Sequence, residues 1–155
     1  MADPDLSARA AASIGREARW LDLGAYERWQ EWFADDAVLW VPLDPTSHPG
    51  RDQSLYLDDR RRLGERVGWL ATPSAWGQHP PSTCVRVVGG VEAWSERGAV
   101  IVRSTFTLVE QRQGRHQMLA GHQIHELVGS PTRCRTKIIL VPRLTVGVRN
   151  PSFLL

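Results

Sequence analysis

His122 and His125 stand three residues apart, a spacing that on a helix could hold a metal ion. The stretch around them reads as a strand, where an odd separation sends two side chains to opposite faces, so the pair makes a poor ligand set. Two acidic pairs, Asp35-Asp36 and Asp58-Asp59, could each offer a carboxylate for proton transfer. Neighbours on a helix do not face each other, so neither pair is a ready acid/base dyad. Helix termination accounts for the first pair, and complementing a helix N-terminus accounts for the second. His48 and His79 sit in proline-rich loops, from which a histidine beside a pocket mouth can serve as a general base. Cys84 and Cys134 are the only cysteines, and without a CxxC or Cys/His cluster they build neither an iron–sulfur nor a structural zinc site. Both read as small buried apolar groups in reduced form. No GxSxG, P-loop or GxGxxG sequence is present.

The elements that must position these groups are organised around Glu17–Pro42, EARWLDLGAYERWQEWFADDAVLWVP. Ala18, Leu21, Ala25, Trp29, Trp32 and Phe33 recur at helical spacing, broken near Gly24, so the stretch predicts a helix hairpin that lays an aromatic face on a sheet. Asp35-Asp36 is expected to stop the second helix, and AVLWVPL to form a buried strand closed by Pro42. Before the hairpin, residues 1 to about 8 read as a loose arm, with helix from Ser7 through Arg19. A long surface loop covers 44–54, and a helix is predicted from Leu57 to Leu70 with Leu63, Val67 and Leu70 on its stripe. A second loop, 72–82, is stiffened by three prolines and expected to be anchored by Trp76.

From Thr83 the period becomes that of strands. The first runs to Trp94 with a bulge at Gly89-Gly90, and the second, Ala99–Glu110, sets Val100, Val102, Phe106 and Leu108 on one face. The third, His116–Val128, sets Met118, Ala120 and Ile124 on one face, and the fourth is Cys134–Val141. Helices followed by long antiparallel strands make an α+β fold, with N-terminal helices packed on one face of a curved, mostly antiparallel sheet.

At 155 residues and 42% hydrophobic content the chain is long enough to bury a core as one domain, residues 1–155. A net charge of +2 is too small to argue for nucleic acid or a membrane surface, and Arg60-Arg61-Arg62 reads as a solvated helix face. No uncharged stretch of transmembrane length and no signal-peptide core is evident, so a soluble, cytoplasmic protein is expected.

EARWLD, WFADD-x-x-x-WVP, LDDRRRLGERVGWL, AWGQHPPS and NPSFLL, in that order along the chain, resemble the small (β) subunit of the aromatic-ring-hydroxylating dioxygenases. That family has the cystatin-like cone shared with nuclear transport factor 2 and SnoaL-like proteins. Thr83-Cys84-Val85-Arg86 departs from the Arg-x-His-type start of the strand after the Pro-Pro-Ser loop, and Val141-Pro142 stands where an aspartate is common. The resemblance implies a structural, non-catalytic subunit. Three copies would form a ring supporting three catalytic α subunits, which carry the Rieske 2Fe–2S cluster and the mononuclear iron, with no cofactor or metal in this chain. It also implies that loops 44–54 and 72–82, the Arg60–Arg66 helix and the C-terminal tail make the contacts, with Arg60, Arg66, Trp76, Gln78, Pro80 and Pro81 as interface residues.

The alternative belongs to another class. When hollow, the same cone hosts isomerases, dehydratases and ligand-binding proteins that need a carboxylate or histidine in an apolar pocket. Tyr56, Asp59, His79 and His122 are the candidates for that role. A subunit should have a filled cone and an enzyme a pocket with a buried acid or base.

Overall fold

Asp3 starts the first helix: its side chain accepts the Leu6 N–H at 3.0 Å, and Pro4 takes the first helical position, where its missing N–H is no loss. In the computed structural model, which describes residues 1–142, α1 therefore spans Pro4–Asp22 and no loose arm of eight residues precedes it. The Asp3 N–H donates to Ala93 O at 2.8 Å and Ser7 Oγ accepts the Ala93 N–H at 2.9 Å, so sheet contacts fix the helix start that composition alone left loose. Gly24, at φ +68°, turns the chain into α2, Tyr26–Glu31.

α2 ends sooner than the periodicity suggests, because Phe33 already pairs with Cys134. β1 is Phe33–Pro42, and Asp35-Asp36 lie exposed inside it instead of closing a helix. Between Phe33 and Val38 the pairing with β6, Arg133–Leu140, slips, and the acidic pair sits in that irregular segment, where Asp36 meets Arg135 at 3.2 Å. Ser54–Asp59 is a further strand, β2, where a helix had been expected to begin at Leu57. Its pairing with β1 overrides the local helical pattern. The helix α3, Arg60–Leu70, follows with Asp59 as its N-cap, accepting the Arg62 N–H at 2.8 Å.

β3 (Thr83–Glu96), β4 (Ala99–Arg112) and β5 (Arg115–Val128) complete a six-stranded sheet in the order β2-β1-β6-β5-β4-β3, parallel only between β1 and β6. The bulge expected at Gly89-Gly90 is present, with the β3–β4 register shifting between Gly89 and Glu92 and Gly90 at φ +59°. The helices cover one face of the sheet. α1 lies along β3, joined to it by Ala93 at one end and at the other by an ion pair of Asp22 with Arg86. Arg86 is thus the partner of the aspartate in EARWLD.

The core is centred on the hairpin aromatics. Trp29 and Phe33 are fully buried and meet edge to face at 5.0 Å, and Trp32 meets Phe33 at 5.9 Å. On β4 the inward face carries Val102, Phe106 and Leu108 as expected. On β5 the face of Met118, Ala120 and Ile124 turns outward. The inward face is the other one, with Gln123, His125 and Leu127 buried and Gly121 passing so close to β6 that a Cβ there would lie 2.4 Å from Leu140 O.

Candidate functional site

The interior of the cone is built from four elements that converge on one carboxylate. Glu17 of α1 is 2% exposed; Oε1 accepts the Lys137 ammonium of β6 at 2.6 Å and the Trp29 indole N–H of α2 at 3.0 Å, while Oε2 faces His125 Nε2 of β5 at 2.9 Å. Lys137 and His125 are themselves buried. A charge so deep is tolerated only when paired and hydrogen-bonded, and here each oxygen has a donor.

Burial alone would raise the Glu17 pKa, but the Lys137 ammonium and the His125 contact outweigh it and hold the carboxyl well below its usual range. For His125, burial pushes the pKa below 6.5 and the Lys137 charge adds to this, against the opposing pull of Glu17. The imidazole is then neutral at pH 7. Its proton sits on Nε2, where it donates to Glu17, and Nδ1 is left buried without a partner among the described residues, a smaller cost for a lone pair than for an N–H of a cation. This arrangement holds α1 to the sheet. The enclosed space beside Glu17, Gln123, Lys137 and Phe106 amounts to about 10 Å³, the volume of one water at most, while a separate half-open pocket of about 240 Å³ lies nearer the start of α1, between Leu6 and Ala10 and the strand residues Val100 and Leu127.

A pH dependence follows. Both folded-state pKa values lie below their unfolded counterparts, so the unfolded chain binds protons that the folded chain refuses. The stabilisation is complete above pH 6.5; it is lost first as pH falls below 6.5 through His125, then further below 4.5 through Glu17. Melting temperature measured in pH steps should be level above 6.5 and decline below it. His125→Gln should remove the upper decline, because it deletes the buried imidazole of this cluster. An unchanged profile in that variant would sink the assignment.

The four pocket candidates do not meet. Tyr56 is buried under α3, and burial pushes its phenol up to about 12 against the opposing pull of the Arg66 guanidinium, which lies 4.0 Å over its ring. Asp59 is the exposed cap of α3, His79 is exposed with Nε2 2.9 Å from Thr72 O, and His122 lies on the outward face of β5. Sequence reasoning missed Glu17, His125 and Lys137, which read as surface types. The signal available was parity: His125 shares a strand face with Leu119 and Leu127.

On the surface, loop 72–82 holds a short 3₁₀ turn, Trp76–Gln78. Its anchors are Ala75 and Gln78, both buried, and not Trp76, which stands 82% exposed. Arg112 of β4 braces the loop, donating from Nε to Pro80 O at 2.9 Å and from Nη2 to Trp76 O at 3.2 Å. Gln78 Oε1 accepts the Ser82 N–H at 3.0 Å, and Pro80 and Pro81 are exposed on either side of the bond that joins them. A large aromatic is thus presented to solvent on a braced loop. On α3, Arg66 is bound to Asp58 at 2.6 Å, Arg60 is half-buried, and Trp69 is a second exposed indole, beside Arg62 and Glu65. The expected contacts of NPSFLL and the C-terminal tail lie outside the described residues. Among the described residues, no three His, Cys, Asp or Glu side chains converge to hold a metal ion, and no helix is long and apolar enough to cross a membrane.

The family model described as "Ring hydroxylating beta subunit" matches residues 16–140. No curated protein sequence matches the chain. Among solved structures, a chain of naphthalene 1,2-dioxygenase with indole bound in its active site superposes with a TM-score of 0.86 at 19% identity, covering 100% of this chain and 88% of that one. The β subunit of benzoate 1,2-dioxygenase from Burkholderia mallei gives a TM-score of 0.77 at 22% identity, with 99% of both chains covered. Aln2 from a Streptomyces species gives 0.66 at 15% identity over 93% of this chain and 96% of that one. At these identities the superpositions establish the fold, the α+β cone expected from the sequence.

Proposed function

The chain belongs to the ring hydroxylating beta subunit family, and from that membership we propose that it is the small, structural subunit of an aromatic-ring-hydroxylating dioxygenase, an oxidoreductase whose chemistry takes place on another chain. In this reading residues 1–155 form one domain, and three copies assemble with three catalytic α subunits in the cytoplasm. The Rieske cluster and the mononuclear iron belong to the α subunit. The described residues of this chain supply no ligand set that fits either group, so no step of the oxidation is assigned to them.

The observation that carries the proposal is the contrast between an interior without an accessible acid/base group and an outward-facing tryptophan. Around the Glu17–His125 pair only about 10 Å³ is enclosed, and the half-open pocket beside Leu6 and Leu127 is lined by no carboxylate or histidine, whereas Trp76 is braced on a loop with four-fifths of its surface in water. Arg60, Pro80 and Pro81 flank the contact surface in this reading. Arg66 and Gln78 hold its backbone and neighbouring carboxylate in place from inside, through Asp58 and Ser82.

Co-expression of the tagged chain with its large subunit tests this. The wild-type chain should co-purify as a complex several times heavier than its 17.4 kDa, with Rieske absorption in the visible. Trp76→Ala should weaken that association by about 30-fold, the loss of ~2 kcal/mol expected of an interface anchor. Its melting temperature when isolated should stay that of the wild type, since an exposed side chain contributes little to folding. Undiminished co-purification of the variant would remove Trp76 from the interface, and a colourless chain with no partner would remove the subunit reading.

A further inference from the structure

The inward face of β4 carries Val102, Ser104, Phe106, Leu108 and Glu110, all buried, and by strand parity the next residue on it is Arg112, half-buried. The stripe turns charged at its end, and both charged residues reach loop 72–82. Besides the bonds to Pro80 O and Trp76 O, Arg112 Nη2 lies 3.4 Å from His79 O, so one guanidinium gathers three carbonyls that bracket the Trp76–Gln78 turn. Among the described residues Arg112 forms no ion pair. Glu110 fastens the far end of the loop: Oε1 accepts the Ser82 hydroxyl at 2.5 Å, and Ser82 Oγ accepts the Gln78 side-chain N–H at 3.0 Å. Oε2 accepts from Gln117 of β5 at 3.1 Å.

We propose that Arg112 is a positioning residue for the partner contact, holding the Trp76 turn in the conformation that the large subunit binds. This rests on the subunit reading above and names the group that keeps its anchor in place.

The Trp76 indole makes no hydrogen bond or ring contact among the described residues, so its direction is set by the backbone that carries it. Carbonyls of a surface loop ordinarily turn to water. Collecting three of them on one side chain buries little and removes conformations. A planar fork with fixed N–H directions does this better than an ammonium, a point charge on a flexible stem. The side-chain bonds of Arg112 all go to the loop and none to a helix or a strand, which separates its role from that of holding the sheet together. A loop ordered in advance spares the partner the cost of ordering it on binding.

Arg112→Met keeps an unbranched stem and removes the donors. In the isolated chain, amide hydrogen exchange read by mass spectrometry should be about tenfold faster in the peptide carrying Gln78, His79 and Ser82, whose N–H groups are bonded within the loop. Peptides of β4 and β5 should exchange as in the wild type. Affinity for the purified large subunit should fall about tenfold, since the loop must now be ordered on binding. In a Trp76→Ala background the same change should cost less than about twofold, because the group that Arg112 positions is gone. Arg112→Lys should recover part of both effects. If Arg112→Met fails to fold, the lysine variant carries the comparison, with about threefold expected in each measurement.

An unchanged exchange rate in the loop would overturn the proposal. So would a loss of affinity that persists undiminished in the Trp76→Ala background, which would give Arg112 a partner contact of its own, or faster exchange throughout the sheet, which would make its role one of folding. Faster loop exchange with undiminished affinity overturns the positioning role and leaves the subunit reading standing. That reading fails separately, by the wild-type chain binding no large subunit, and the proposal then falls with it.

Discussion

Replacing Lys137 with Met should destabilise the fold by about 3–5 kcal/mol, the cost of stranding one member of a buried ion pair. Methionine keeps the volume and apolar stem of lysine, so the change isolates the charge. What remains is a carboxylate, 2% exposed, with the Trp29 and His125 N–H groups as its only donors among those that reach Glu17. In a chain of 155 residues that loss corresponds to a fall of roughly 10 °C or more in melting temperature. The double variant Glu17→Gln/Lys137→Met, which removes both charges, should regain much of it. Thermal melts of wild type, both singles and the double at pH 7.5 give the coupling between the two sites. A single variant within about 1 kcal/mol of wild type would show that the pair does not hold α1 to the sheet.

The same substitution should have opposite signs at two glycines. Gly121→Ala places a Cβ 2.4 Å from Leu140 O and 3.2 Å from the Phe106 ring. The nearer obstacle is backbone, and Leu140 is held by its pairing with His122, so β5 and β6 must separate locally. A cost of about 2–3 kcal/mol is expected for this overpacking. At Gly15, exposed within α1, a Cβ meets nothing within 4 Å, so Gly15→Ala should stabilise by up to ~1 kcal/mol through helix propensity. Denaturant titration of both proteins checks the pair. If Gly121→Ala is neutral, the close passage of β5 under β6 is not a constraint on the sheet.

The residues legible in advance were those whose local chemistry and global position agree. Trp29 declared a packed helix face, Asp59 a helix cap, Gly89-Gly90 a bulge, and each is found there, while Trp32 and Phe33 join the same core from beyond the end of α2. Those misread were positions where pairing between distant strands overrides local preference. Leu57–Asp59 reads as the first turn of the α3 helix yet is drawn into the sheet by β1, and Asp35-Asp36 looks like a helix stop but lies where β1 slips against β6. The face of β5 was the most consequential case. Met118 and Ala120 look like core and Gln123 and His125 like surface, and the reverse holds.

By itself, then, the sequence determined the class of the fold, the family, and the presence of a stiff loop carrying Trp76, because periodicity, turn residues and ordered motifs are properties of the chain in one dimension. Only the tertiary structure decided what occupies the middle of the cone. Glu17 and Lys137 are separated by 120 residues, and each alone is a surface residue by type. Burial becomes affordable only when α1, α2, β5 and β6 bring an ammonium, an indole and an imidazole to one carboxylate, and no local pattern records that meeting.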